Sequence, residues 1–289
     1  MSTLNVGAAS TIRRPRVGRF IKRNPMLVLG LLIFGSIVLS AIFAPWLTGD
    51  PYGMMPSRRL LPAGATYLLG TDPLGRDVFA RTIYGARVSL TVGVCVAAVS
   101  VVIGLSLGLI AGYIRRTDAP LMRIMDALMS VPAVMLAIAL VSLTQASVIT
   151  VIVAITIPEI PRVVRLVRAV VLSVREQPFV QAAIAGGART PKVIIRHIMP
   201  STIAPLIVQA TYICASAILI EAALSFLGAG TPPSIPTWGN MIASNRLYLA
   251  KAPWTIFGPG LELALTVLAI NLIGDGLRDQ LDPRLARRM

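Results

Sequence analysis

Charge is scarce in this chain: only 13% of its 289 residues are charged, about half the share of an ordinary soluble domain. Acid is scarcer than base, with 12 Asp and Glu against 27 Lys and Arg, a formal net charge of +15. Basic nucleic-acid binders gather Lys and Arg on a polar face, whereas here they flank long uncharged apolar runs, so the expected partner is membrane lipid and not nucleic acid. The chain has one histidine, His197, and two cysteines, Cys95 and Cys214, far apart inside apolar runs. That inventory cannot assemble a His-rich zinc or di-iron site, and the cysteines read as small buried apolar residues. Missing as well is any GxxxxGK[ST] phosphate cradle and any Ser, Cys or carboxylate constellation for nucleophilic catalysis. The expectation is a non-catalytic chain that binds no metal and no cofactor.

What the chain does have is apolar length: 55% hydrophobic residues and a mean hydropathy of +0.78. About 20 apolar residues in a helix cross a bilayer core, because only internal hydrogen bonds satisfy a backbone in hydrocarbon. Residues 26–47 meet that length behind a basic cytoplasmic tail, 1–25, and read as an uncleaved first span, being too long for a signal peptide and lacking a small-x-small cleavage site. Residues 88–114 give a second span. The run 127–158 is too long for one crossing and divides at 144–147 into a third and fourth. Residues 202–227, interrupted by Glu221, and 254–273, interrupted by Glu262, complete an all-α integral membrane fold of six transmembrane helices.

Orientation follows from Lys and Arg, which concentrate on the cytoplasmic side. With both termini inside, the outer loops hold only Arg58, Arg59, Arg76, Arg81, Arg87, Arg246 and Lys251, and the remaining Lys and Arg fall on inner segments. Leaving 127–158 undivided would put the most basic loop outside. The outer segment 48–87 and the outer loop 228–253 are rich in Pro and Gly and read as irregular, with Trp238 suited to the membrane interface. The core is then 88–276, and a second cytoplasmic tail covers 277–289.

Ser100, Gly104, Gly108 and Gly112 recur at steps of four and form one small-residue face, a packing seam within this subunit or against a second one. The cytoplasmic segment 168–201, RAVVLSVREQPFVQAAIAGGARTPKVIIRHIMPS, is punctuated as helix, turn, helix. Pro178 suits a first turn, Gly186 and Gly187 end it, Thr190 caps a second helix with Pro191 at its first position, and Pro200 stops it. A plain connection between spans needs only a few residues, so this segment is built to be touched by something.

Gln181, Ala182, Ala183, Gly187, His197, Met199 and Pro200 resemble the cytoplasmic EAA loop of importer-type ABC permeases, which docks into a cleft of the ATP-hydrolysing subunit; Gln181 stands where that pattern has glutamate. Residues 69–90, 224–228 (LSFLG), 238–241 (WGNM), 252–254 (APW) and 274–284 (GDGLRDQLDPR) are similar to the second permease subunit of dipeptide, oligopeptide and nickel importers. The resemblance implies an importer subunit in a bacterial inner membrane, with a homologous permease beside it, two ATP-binding subunits carrying ATP and Mg inside, and an extracytoplasmic substrate-binding protein outside. It implies ATPase contact at Pro178, Gln181, Ala182, Ala183, Gly187, His197 and Pro200. Short peptides are the expected cargo, with nickel chelates or another small solute as alternatives. A self-sufficient secondary transporter or channel is the rival; internal repeats and paired broken spans, its common marks, are not evident.

Three further groups have two readings each. Asp72, Arg76, Asp77 and Arg81 either hold the outer segment in shape by local ion pairs or, with Trp238, contact a delivering protein or a zwitterionic peptide. Glu221 and Glu262, costly inside spans, either line the translocation path or are paired structurally. His197 is either a proton shuttle or a contact and packing residue.

Overall fold

A computed structural model describes residues 24–281, all helix and connecting loop; most of the basic N-terminal tail and the end of the C-terminal tail lie outside the described residues. Helix α1 (Pro25–Ile42) is the first span. It stops short of the expected end, and residues Ala44–Leu47 form a separate turn, α2. Arg87 ends it: Nε donates to the Ala41 carbonyl at 2.6 Å and Nη2 to that of Ile42 at 3.0 Å, satisfying oxygens that a helix C-terminus leaves orphaned.

The outer segment is irregular only as far as Asp77, a correction to its expected reach of residue 87. Asp77 caps α3 (Val78–Tyr113), its Oδ1 accepting from the N–H groups of Phe79 and Ala80 at 2.8 and 3.3 Å. At 1.5 Å per residue the 36 residues of α3 run about 54 Å, so its outer end stands clear of a hydrocarbon core of about 30 Å. Arg81 and Arg87, which look like a span boundary in the sequence, are simply the first turns of this overlong helix.

Helix α4 (Arg115–Met129) and α5 (Ala133–Ser142) meet at 84°, and α6 (Val148–Val174) follows a break at 143–147, where the sequence placed it. The two halves of that run are unequal. Among the described residues four helices are long and apolar enough to cross a bilayer, and five if α4 and α5 count as one bent span. The expected six is therefore not reached by length and composition, because α5 has only 10 residues and α6, with 27, carries Glu159, Arg162, Arg165 and Arg168. Arg165 and Arg168 are partnered across the chain: Arg165 Nη2 reaches Asp126 Oδ1 at 2.6 Å, and Arg168 holds both Asp118 oxygens, at 2.5 and 2.7 Å.

The small-residue stripe of α3 is a seam within this chain. A Cβ built on Gly104, Gly108 or Gly112 would lie 2.4, 2.6 and 2.6 Å from the Cβ of Val163, Val167 and Val171 respectively. Three valines of α6, each a turn apart, thus seat in three glycine notches of a parallel helix.

After α6 come α7 (Pro178–Ala185), α8 (Thr190–Val193) and a π-helical turn, Ile194–Ile198, that leads into α9 (Met199–Phe226). Beyond α9 the outer loop contains a helix, α10 (Trp238–Asn245), and α11 (Trp254–Leu281) closes the described chain, extending into the expected C-terminal tail. Arg246 Nη1 donates to the Phe226 carbonyl at 3.2 Å and Arg175 Nη1 to that of Gly112 at 3.1 Å, so an arginine closes the C-terminal end of α9 and of α3 as Arg87 does for α1. Each places positive charge where the helix dipole is negative.

Candidate functional site: the helix–turn–helix between α6 and α9

The first seven residues of the expected segment 168–201 belong to α6, and the loop proper begins at Arg175. Pro178 occupies the first turn of α7, where its missing N–H is not needed. Gly187 has φ +78°, and the turn closes with Gly187 N–H to the Ile184 carbonyl and Ala188 N–H to that of Ala183, both 3.0 Å. The second bond, reaching back five residues, is the Schellman closure that glycine at this position permits.

Two expectations for the second helix fail. Thr190 is the first residue of α8, Arg189 holds the capping position, and no side chain caps it. Pro200 does not stop the helix either: Met199 N–H reaches the Ile194 carbonyl across the π turn, and Pro200 falls in the first turn of α9, where no N–H is required of it. The loop is therefore one short helix, a sharp turn, and an elbow running straight into a span.

Val180, Val193 and Ile198 are fully buried and fix this elbow to the body. On the other side Gln181, Ala182, Arg189, Lys192 and Arg196 are exposed, and with them Phe179 (51%), Ile184 (43%) and Ile195 (59%). Large apolar side chains presented beside small alanines and a basic rim make a contact surface. Of the residues singled out in the sequence, Pro178, Gln181, Ala182, Gly187 and Pro200 are exposed, and Ala183 and His197 half-buried. Phe179 and Ile195 were missed. The inward position of Val180 on a 3.6-residue period would have pointed Phe179 outward.

The other candidates sit in the protein interior. Glu221, in the penultimate turn of α9, is fully buried; its Oε1 accepts from Ser225 Oγ at 2.9 Å, with Thr237 and Thr231 alongside. Glu262, in α11, is half-buried with Oε2 shielded from solvent and without a hydrogen-bond partner. Glu159, not singled out in the sequence, is fully buried and bonds Arg162 Nη1 at 3.1 and 3.2 Å. Ser100, the first residue of the small-residue stripe, has a buried hydroxyl without a hydrogen-bond partner.

In the outer segment, Asp72, Arg76 and Arg81 are 2%, 7% and 2% exposed and bond within the chain. Asp72 Oδ2 meets Arg76 Nε at 2.6 Å, its Oδ1 accepts from the Leu74 and Arg76 N–H groups at 2.8 and 2.9 Å, and Arg81 Nη1 donates to the Pro51 carbonyl at 3.1 Å. Trp238, expected at the interface, is fully buried and donates from Nε1 to the Thr82 carbonyl at 3.1 Å. Trp254, the first residue of α11, donates from Nε1 to the Thr71 carbonyl at 3.3 Å, so the outer loop is tied to α3 and the outer segment to α11, and together they form one outer platform. Asp72→Ala is expected to loosen that platform by about 3 kcal/mol, because Arg76 is left buried without its partner. Limited proteolysis of right-side-out membrane vesicles reads this as faster cleavage within 51–77, and an unchanged cleavage rate would contradict it.

Residues 100–287 match the family model described as binding-protein-dependent transport system inner membrane component, and residues 16–63 that of the N-terminal TM domain of oligopeptide transport permease C. The chain is 56% identical over 288 residues to a peptide ABC transporter permease protein of Sinorhizobium fredii, covering 100% of this chain and 99% of that relative. It is 45% identical over 267 residues to a dipeptide transport system permease protein of Alkalihalophilus pseudofirmus (92% and 88% covered), and 37% over 271 to an oligopeptide transport system permease protein of Bacillus subtilis (92% and 88%). Among solved structures, the inward-facing MetNI methionine ABC transporter aligns with TM-score 0.57 and 17% identity over 71% of this chain and 97% of that one, a likeness of fold.

Proposed function

From a chain that belongs to the inner membrane components of binding-protein-dependent transport systems, we propose the transmembrane subunit of an ATP-driven importer, forming half of a pathway for short peptides. The cargo class rests on relatives named for peptide, dipeptide and oligopeptide transport. The observation that carries the mechanism is the elbow at Pro178–Pro200: exposed Phe179, Ile184 and Ile195 around Ala182, anchored from behind by Val180, Val193 and Ile198. An apolar surface with a basic rim is suited to a groove on a cytoplasmic protein, and a self-sufficient transporter has no use for it.

The chain itself performs no chemistry in this reading. Two ATP-binding subunits hold ATP and Mg and press on α7 from the cytoplasm, a homologous permease supplies the other half of the pathway, and an extracytoplasmic binding protein delivers cargo to the outer platform. Both termini are cytoplasmic. Closure of the ATPase pair displaces the elbow, and because Val180, Val193 and Ile198 anchor the elbow to the body, the displacement tilts the spans and opens the cavity outward; hydrolysis reverses it. Glu221, Glu262 and Glu159 with Arg162 are ionisable groups within the helices that a zwitterionic cargo can meet as the spans tilt.

The test is co-purification of the complex from gently solubilised membranes, wild type beside a Phe179→Asp, Ala182→Trp variant. Both residues are exposed, so the variant is expected to reach the membrane at normal level, lose its ATPase subunits and lose labelled-dipeptide uptake. Absence of an ATPase from the wild-type complex would refute the proposal.

A further inference from the structure

We propose that α4 is a surface helix that binds the headgroups of anionic phospholipids through Arg115, Arg116 and Arg123. This goes beyond the transport function above and does not depend on it.

The sequence of α4, RRTDAPLMRIMDALM, separates its arginines from its large apolar residues. On a 3.6-residue period Arg115, Arg116 and Arg123 share one flank of the helix, and Leu121, Ile124 and Leu128 share the other. Between the flanks Met125 is buried, and Asp118 and Asp126 reach α6. The two ion pairs fix how the helices cross. Asp118 and Asp126 stand about 12 Å apart along α4, yet their partners Arg168 and Arg165 are only about 4.5 Å apart along α6. At its other end α5 leaves α4 at 84°. Helix α4 therefore runs across the axes of its neighbours, flat along the membrane face on which α3 ends, the posture of an amphipathic helix seated in the interface.

Which of its charges are free decides the partner. Both acids of α4 are engaged by α6, Asp126 by Arg165 and Asp118 by Arg168. Arg115, Arg116 and Arg123 are exposed and, among the described residues, have no ion pair and no side-chain hydrogen bond. The helix thus presents three positive charges and no free negative one. Arg116 and Arg123 lie two turns apart on one line along it, about 10.5 Å. Beside that line Ile124 is 55% exposed, and Ile114 and Met129, at the two ends, are exposed as well. A nucleic acid would answer the charge but not these apolar side chains. A bilayer answers both: the apolar residues and the arginine stems lie along acyl chains while the guanidinium groups reach phosphate, which their planar fork can hold through two oxygens. Lipid is also already the neighbour, since α4 begins one residue after α3, a helix long and apolar enough to span, has ended.

The experiment places a fluorescent reporter on the apolar flank by Ile124→Trp, a residue type at home in the interface. The full chain, with whatever proteins accompany it on extraction, is reconstituted in mixed vesicles of phosphatidylcholine and phosphatidylglycerol at low salt. Bromine is carried on the acyl chains of one lipid or of the other at equal mole fraction, and quenches the tryptophan that it touches. The signal of the chain without the reporter, from Trp46, Trp238 and Trp254 at the outer end, is subtracted. Phosphatidylglycerol is expected to compete for the site about fivefold better than phosphatidylcholine, the scale of one arginine at an anionic surface, and the preference is expected to fall as salt is raised. Changing Arg116→Gln and Arg123→Gln together is expected to bring the ratio to about one, whereas Arg116→Lys with Arg123→Lys should keep most of it. Both positions are exposed and unpaired, so the variants should be recovered at the level of the parent, and quenching by brominated phosphatidylcholine reports that the reporter still meets lipid. Equal quenching by the two lipids in the parent overturns the proposal, as does a preference that survives the glutamine pair or is lost in the lysine pair. Quenching by neither lipid would show α4 covered by protein or clear of the bilayer, and overturns it too.

Discussion

Replacing Gly104 or Gly108 with leucine is expected to deplete the chain from the membrane, whereas the same change at Gly35 is expected to be tolerated. A side chain at Gly104 begins with a Cβ 2.4 Å from Val163 Cβ, and at Gly108 with one 2.6 Å from Val167 Cβ, while at Gly35 nothing lies within 4 Å. The clash is with β-branched residues whose rotamers in a helix are already restricted, so it cannot be relieved by swinging a flexible side chain aside. The helices must separate instead. In lipid that separation is not resisted by the hydrophobic effect; what holds α3 to α6 is close contact of the kind the glycines allow, and opening one notch opens its neighbours. Overpacking costs of about 3 kcal/mol follow from a single substitution, enough to expose the pair to quality control. The measurement is the amount of chain extracted from membranes and its thermal midpoint in detergent. Because the fit is mutual, Gly104→Ala combined with Val163→Ala should recover most of what Gly104→Ala alone loses; failure of that rescue would mean the seam is not where stability resides.

The seam was legible in the sequence because a four-residue step of small residues has a direct meaning on a helix. So were the break at 143–147 and the turn at Gly186 and Gly187, each carried by residues that act locally. What stayed hidden depends on pairings across the chain. The charged extension of α6 reads as a loop until Arg165 and Arg168 are seen against Asp126 and Asp118, 39 and 50 positions away. Trp238 reads as an interfacial residue until Thr82, 156 positions earlier, supplies its acceptor. The same holds for Arg81, whose partner Pro51 lies on a loop that no periodicity describes. In the elbow, Thr190 and Pro200 follow local rules for a helix that begins and ends; α8 instead takes Thr190 as its first residue, with Arg189 in the capping position, and the rule for Pro200 is overridden because α8 continues through a π turn into α9.

Gly187→Val is the second large effect, and its cause is the opposite of a clash. Nothing lies within 4 Å of a Cβ built at Gly187, but the residue has φ +78°, a region that a β-branched side chain enters at a cost of order 1–3 kcal/mol. Two hydrogen bonds, Gly187 N–H to Ile184 and Ala188 N–H to Ala183, hold the turn, and their net worth of about 1 kcal/mol each does not securely exceed that strain. The turn is therefore expected to re-form with a different exit angle, pointing α7 away from the line of α8 and α9. Since Gly187 is exposed and nothing lies within 4 Å of a Cβ built there, membrane level and thermal midpoint should match the wild type, while uptake driven by ATP falls more than tenfold. Asparagine tolerates the left-handed region far better than valine, so Gly187→Asn should keep most of the uptake. The ordering Asn above Val identifies backbone conformation as the cause; equal loss in both would implicate the missing glycine surface itself, and normal uptake in Gly187→Val would mean that the angle of this turn does not transmit force.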